Sequence, residues 1–201
     1  MDCELARPVL VGESMTSQRT SGLVEAPTWS IRPELPTDLD QIHDLHREAF
    51  RGPAEAELVD AIRAGSGFVP ELSLVAVTPD GSVLGHVLLS IVAFEPDAGG
   101  ARRHDVLALA PLAVLPAHAG RGIGSAMMRT ALSVAGQREE PFIVVLGAPS
   151  FYERFGFTPA ADAGIRSPYD AAGAAYRVMF LRDAEPEAGT VVYPPIFGSL
   201  D

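Results

Sequence analysis

Apolar positions along the chain recur at two spacings, and the switches between them mark out the elements. Residues 29–32 (WSIR) alternate as a short strand. Thr37 and Asp38 then open a helix, with Leu39, Ile42, Leu45, His46 and Ala49 forming a stripe of 3.6-residue period that ends at Phe50. Residues 53–64 repeat the signal, with Ala54, Leu58, Ala61 and Ile62 on one side. Two strands follow, 72–78 and 82–91, joined by Pro79-Asp80-Gly81, whose residue types favour a hairpin turn. After a loop at 99–102, residues 105–115 read as a long apolar strand interrupted by Pro111. Residues 121–136 predict the strongest helix and 142–146 a second buried strand. Phe157, Thr158 and residues 174–181 read as closing strands. There is no internal repeat, and the order predicts a mixed α/β or α+β domain with a sizeable sheet.

The two ends break this pattern. Residues 1–28 hold neither period and lack the basic stretch and apolar run of a secretory signal. They are expected to be a mobile extension, ahead of a domain at 29–183 and a wrapping tail at 184–201. That tail carries Pro186, Pro194 and Pro195, with 190–193 as a short edge strand.

Composition narrows the class. Of 201 residues, 47% are hydrophobic and 20% charged, as in a soluble globular domain large enough to bury its own core. No apolar run approaches the roughly 18 residues of a membrane helix. A cytoplasmic monomer or homodimer is expected, with no membrane partner. The net charge of −11 argues against nucleic acid, because phosphate neutralisation needs clustered Lys and Arg. It suits a cationic or amine-bearing partner. Cys3 is the only cysteine, which excludes a disulfide framework, a CxxC redox pair and a thiolate zinc site.

Chemistry concentrates in residues 106–135, VLALAPLAVLPAHAGRGIGSAMMRTALSVA. A buried strand runs through Pro116 into a turn bearing Gly120, Gly122 and Gly124. The following helix has Ile123, Ala126, Met127, Ala131 and Val134 on its apolar face. Such a turn lets ligand approach the backbone, and the free N–H groups of the first helical turn favour an anion, phosphate above all. Arg121 adds a full positive charge. A Walker A loop is excluded, since the turn ends Gly-Ile-Gly-Ser rather than Gly-Lys-Ser/Thr. A dinucleotide fingerprint is disfavoured, since the third glycine is Ser125 and the next strand ends Leu146-Gly147-Ala148-Pro149 with no acid. A glycine-rich connection without a ligand is the bland alternative.

The strand LAPLAVL (109–115), Pro116 and the segment Ala119-Gly120-Arg121-Gly122-Ile123-Gly124 resemble the R/Q-x-x-G-x-G/A pyrophosphate loop of the GNAT superfamily of acetyl-CoA-dependent N-acetyltransferases. Downstream, Phe151-Tyr152-Glu153-Arg154-Phe155-Gly156-Phe157 is similar to the family's Y-x-x-x-G-F segment. The resemblance covers about residues 29–181 and is nearest to a bacterial subgroup of uncharacterised acetyltransferases. It implies a central mixed, mostly antiparallel sheet with a splayed pair of strands, flanked by helices. One departure stands out, in that the first loop position, usually Arg or Gln, is Ala119.

The resemblance implies roles for particular residues. Leu112, Ala113 and Val114 would pair through their backbone with the pantetheine arm of acetyl-CoA. Independently of any family, Pro111 cannot donate to a ladder, so a bulge or splay is expected there. Ala119, Gly120, Arg121, Gly122, Ile123, Gly124 and Ser125 would hold the pyrophosphate. Tyr152 would be the general acid that protonates departing CoA, its phenol (pKa about 10) lying near a thiol's at about 8.5. Without that motif Tyr152 reads first as an aromatic packed among Phe151, Phe155 and Phe157. The acceptor would be an amine on a small molecule or a peptide, attacking directly, since Cys3 lies in the extension and no nucleophilic cysteine is available for an acyl-enzyme.

No general base stands out. Glu55, Glu57, Glu71, His86, His104 and Asp105 each read as structural or solvated. His43 and His46 share a helix face but have no third partner for a metal, so no metal is expected. His118, beside the glycine loop, reads as a solvated turn residue. The rival to an enzyme is a non-catalytic acyl-CoA-binding module, a sensor or subunit, to which Ala119 lends footing.

Overall fold

The structure, a computed structural model, describes residues 29–98, 102–182 and 184–199, so the expected extension over 1–28 lies outside the described residues. In chain order the strands are β1 (Ser30–Pro33), β2 (Phe68–Val77), β3 (Val83–Pro96), β4 (His104–Val114), β5 (Phe142–Leu146), β6 (Thr158–Pro159), β7 (Ile165–Arg166), β8 (Tyr176–Phe180) and β9 (Gly189–Val192). The helices are α1 (Leu39–Phe50), α2 (Ala54–Ala64), α3 (Ile123–Ala135) and the short α4 (Pro149–Tyr152). They build one twisted sheet in the order β1-β2-β3-β4-β5-β8-β6. Its pairs on that path are antiparallel except β4–β5. That exception follows from topology, because α3 forms the crossover that parallel neighbours require.

Two apolar layers sandwich the sheet. Ile42, Leu45, Leu58 and Ile62 from α1 and α2 pack on Val75, Leu88, Val92, Phe94, Ala108 and Val144. Ile123, Met127 and Ala131 from α3 pack on Leu74, Val87, Leu89, Leu107, Leu109 and Val145. Covered on both faces, β3 and β4 therefore read as nearly unbroken apolar runs rather than as alternation. Each fully buried side chain such as Leu88 or Phe94 contributes about 1.5–3 kcal/mol.

The strands outrun their expected ends. β2 begins at Phe68, across a register shift between Phe68 and Ser73. β3 continues to Pro96 because β9 pairs with its residues 93–96. That pairing, and the parallel pair β7–β9, joins the C-terminal segment to the sheet. No helix among the described residues is long and apolar enough to cross a membrane.

Candidate active site

The break in the sheet comes at Pro111. Between the pairs Val87↔Leu112 and Leu89↔Leu109, β4 carries one residue more than β3, a bulge of the kind expected from a residue with no N–H. On the other edge, pairing with β5 runs from Leu107↔Ile143 to Leu109↔Val145 and stops. Beyond it the two strands part, and a cavity of about 530 Å³ opens between them. Leu109, Ala110, Pro111, Leu112 and Val114 line it from β4, and Leu146, Gly147 and Ala148 from β5 and the turn after it.

The N-terminus of α3 reaches this cavity through Gly124. No side chain among the described residues caps the helix, and its first intrahelical bond runs from the Ala126 N–H to the Gly122 carbonyl. The donors ahead of Ala126 are thus left to an incoming acceptor, and the dipole favours an anion. Gly120 (φ 75°) and Gly122 (φ 82°) take the left-handed conformation that turns the chain into the helix, with open space where a Cβ would stand. Ala119 and Arg121 are exposed beside them. Not every residue expected here offers its side chain. Ile123 is buried against the α3 layer of the core, Ala113 is buried opposite His86, and neither lines the cavity. His118 sits in the 3-10 turn Pro116–His118, also off the cavity.

Tyr152 ends α4 on the cavity wall. Its ring packs edge-on against Phe151 (5.0 Å between centroids) and Phe157 (5.6 Å). Burial alone pushes its phenol up to about 12, so it remains a proton donor throughout the neutral range. Two features that sequence reading passed over hold it there. Gly147 lies so close to the ring that no side chain fits between them. Arg177, buried on β8, donates to the carbonyls of Phe157 (2.8 Å) and Ala174 (3.0 Å) and pairs with Glu153 (3.1 Å), clamping the segment that carries Tyr152. The signal for Arg177 was there to read, as an arginine in an otherwise apolar strand.

The candidate bases scatter. Glu55 lines the cavity, whereas Glu57 is exposed and off it. Glu71 pairs with Arg138, and the His104 ring packs on Phe94. Asp105 is exposed on β4 opposite Ala93. His43 bonds Asp60 (2.9 Å) while His46 turns inward to His86 (2.8 Å), so the two do not converge. Among the described residues no three His, Cys, Asp or Glu side chains are grouped to hold a metal ion.

His46 and His86 instead belong to a buried chain anchored on Glu34, which sequence reading did not single out. Arg63 donates to both Glu34 oxygens (2.7 and 3.0 Å), and Ser73 Oγ donates to Oε2 (2.5 Å). With the Ser73 proton on Glu34, His86 Nε2–H donates to Ser73 Oγ (2.9 Å), and His86 Nδ1 then accepts from His46 Nε2–H. The order leaves His46 Nδ1 unprotonated, buried and without a hydrogen-bond partner among the described residues. Burial holds His46 down at about 3, too weak to take a proton from an ammonium. Although His46 stacks on Phe50 at the cavity rim (5.9 Å), the hydrogen bonds run inward and link α1 to β3 and, through Ser73, to β2.

Comparison with known proteins converges on this geometry. Residues 39–157, from the start of α1 to the end of the Tyr152 segment, match the "Acetyltransferase (GNAT) family". The chain is 34% identical to the uncharacterized N-acetyltransferase YhbS of Escherichia coli K12 over 153 residues, 76% of this chain and 87% of that protein. It is 33% identical to the uncharacterized N-acetyltransferase YjhQ of the same organism over 134 residues, 66% of this chain and 72% of that one. The crystal structure of E. coli YhbS in complex with CoA superposes with a TM-score of 0.76 at 29% identity, covering 88% of this chain and 95% of that one. A GNAT family acetyltransferase from Brucella melitensis, in complex with acetyl-CoA, gives 0.66 at 33% identity, covering 84% and 97%. The mostly antiparallel sheet flanked by helices is thus a known architecture, and the chain belongs to the GNAT family of acetyltransferases.

Proposed function

We propose that this protein transfers the acetyl group of acetyl-CoA to a primary amine by direct attack. The observation that carries the reading is the seam beyond Leu109. It opens a cavity that meets the uncapped N-terminus of α3 on one side and the Tyr152 phenol on another. The free N–H groups from Ile123 to Ser125, with Gly120, Gly122 and the charge of Arg121, bind the pyrophosphate. Ala119 adds no polar contact there, so the grip is mainly backbone. The unpaired edge of β4 at Leu112, Ala113 and Val114 receives the pantetheine arm.

Acetyl-CoA supplies an activated acyl group as its thioester. The neutral amine forms the new C–N bond to the acetyl carbon as the C–S bond breaks. Tyr152 gives its proton to the departing sulfur, the proton lost by the amine passes to water, and water returns a proton to Tyr152. A phenol near 12 is a poor match for a thiol near 8.5 in water, but the sulfur leaves inside the same largely apolar cavity, where burial raises its pKa as well. That the CoA-bound and acetyl-CoA-bound relatives share this fold supports the choice of donor.

Thermal shift separates this from other readings. Acetyl-CoA and CoA are expected to stabilise the protein and NAD is not. Thiol release with an amine panel then distinguishes an enzyme from an acyl-CoA-binding sensor. Stabilisation by acetyl-CoA without release on any amine favours the sensor, which the missing polar side chain at Ala119 would suit.

A further inference from the structure

The acetyl-transfer reading leaves one part of the cavity unused. Phe50 at the end of α1, Glu55 and Leu58 on α2, and Tyr169, Tyr193 and Phe197 from the C-terminal third also line it. The last two come from the segment that β9 ties to the sheet, and the 3-10 turn Pro195–Ser199 packs against α2. The aromatic rings support one another, with Tyr193 edge-on to Tyr169 (5.1 Å) and tilted on Phe197 (5.0 Å). Their hydroxyls bond within the protein. Tyr169 donates to the Phe197 carbonyl (2.9 Å), and Tyr193 shares a bond with Tyr176 (3.3 Å). Ring surface is therefore a main component of the wall.

Exposure marks the same cavity. Among the described residues three large hydrophobic side chains are exposed, and two of them, Phe50 (41%) and Leu146 (45%), border this cavity. Such apolar surface around a concave site marks a ligand that covers it. Among the described residues that line the cavity, none is Lys, Arg or His and Glu55 is the single carboxylate. Its side chain enters no salt bridge among the described residues.

We infer that the acceptor is a small monoamine carried on an apolar, ring-sized group. Its ammonium is met by Glu55 and by aromatic faces before it loses a proton, and its body is covered by Phe50, Leu58 and Phe197. The same wall rejects the other amine classes. A polyamine brings a second cation with no second carboxylate, and an amino acid brings a carboxylate with no cation to meet it. The inference rests on the acetyl-transfer reading only in calling this ligand the acceptor.

The test measures binding without turnover. Calorimetric titrations use the full chain saturated with CoA, which has no acetyl group to give. The probes are 2-phenylethylamine, 1,4-diaminobutane, phenylalanine and a short peptide with a free N-terminus. The phenylethylamine is expected to bind at least about tenfold tighter than each of the others. Glu55→Gln should weaken it by about tenfold, the scale of one charge-assisted hydrogen bond, and Phe50→Ala should weaken it as well, with CoA affinity and melting temperature unchanged in both. Equal or tighter binding of any other probe, no binding of phenylethylamine, or indifference to Glu55→Gln overturns the inference. Replacing CoA by acetyl-CoA then separates the two claims. An amine that binds but is not acetylated defeats acetyl transfer and leaves the ligand class standing, while turnover of diaminobutane without phenylethylamine binding does the reverse.

Discussion

Gly147 and Tyr152 are packed so that a methyl group on Gly147 would overlap the Tyr152 ring at its Cε2 edge. The position of the phenol is thus set from the turn after β5 as much as from α4. Gly147→Ala is expected to displace the ring, at a stability cost of about 1–3 kcal/mol for overpacking. Turnover should fall sharply while acetyl-CoA affinity is largely retained. Steady-state kinetics beside a melting curve checks this; a variant with full activity would mean that the phenol's placement is irrelevant to the chemistry.

Tyr152→Phe is the complementary change, keeping the ring contacts with Phe151 and Phe157 and removing only the proton. Turnover is expected to drop about 10²–10⁴-fold with acetyl-CoA binding nearly unchanged. Near wild-type turnover in a variant that binds normally would reassign the thiolate's proton to water.

At the glycine turn, Gly122→Glu is expected to abolish acetyl-CoA binding, because a carboxylate would stand where the N–H groups of α3 await an anion. Any side chain at φ 82° is strained, so Gly122→Ala is the control for strain alone. Titration of both should show loss in the glutamate variant well beyond that in the alanine variant.

Ala119 is exposed and extended (φ −61°, ψ 151°) at the entrance to the same turn. Ala119→Arg is expected to tighten CoA binding a few-fold, and the gain should fade with added salt, as for any solvent-screened charge contact. A dissociation constant that stays level in low salt would show that Arg121 already supplies what the pyrophosphate needs.

The buried chain on Glu34 sets a pH limit. Burial holds His46 at about 3 and lowers His86, while bonds from His86, Arg63 and Ser73 outweigh burial and bring Glu34 to about 2. All three shifts are downward, so their contribution is fully present above the unfolded values near 6.5 and 4.5. It is lost as pH falls through the folded ones. Stability should decline progressively from about pH 6.5 toward pH 3, by a few kcal/mol on the order-of-magnitude scale of such shifts. Paired replacement of His46 and His86 by Leu and Gln should flatten that decline between pH 6.5 and 4.5, measured as denaturation midpoint against pH. An unaltered slope would place the acid sensitivity elsewhere.

Local pattern alone determined the parts of this protein that short spacings encode. The stripe from Leu39 to Phe50, the hairpin at Pro79-Asp80-Gly81 and the strand–glycine–helix run through Gly124 appear where their periods put them. The missing N–H of Pro111 foretold the bulge because that constraint is carried by one residue. What only the tertiary structure decided are encounters between distant residues. Glu34, Ser73 and His86 meet because β1, β2 and β3 pair in a particular register, and nothing near any of them in the chain points to the others. Phe50, Tyr169, Tyr193 and Phe197 share a cavity because β9 returns to β3 and brings the C-terminal segment over α2. Period and composition report which face of an element is buried. Which side chains meet across it depends on strand order and register, and those follow from the packing of the whole sheet.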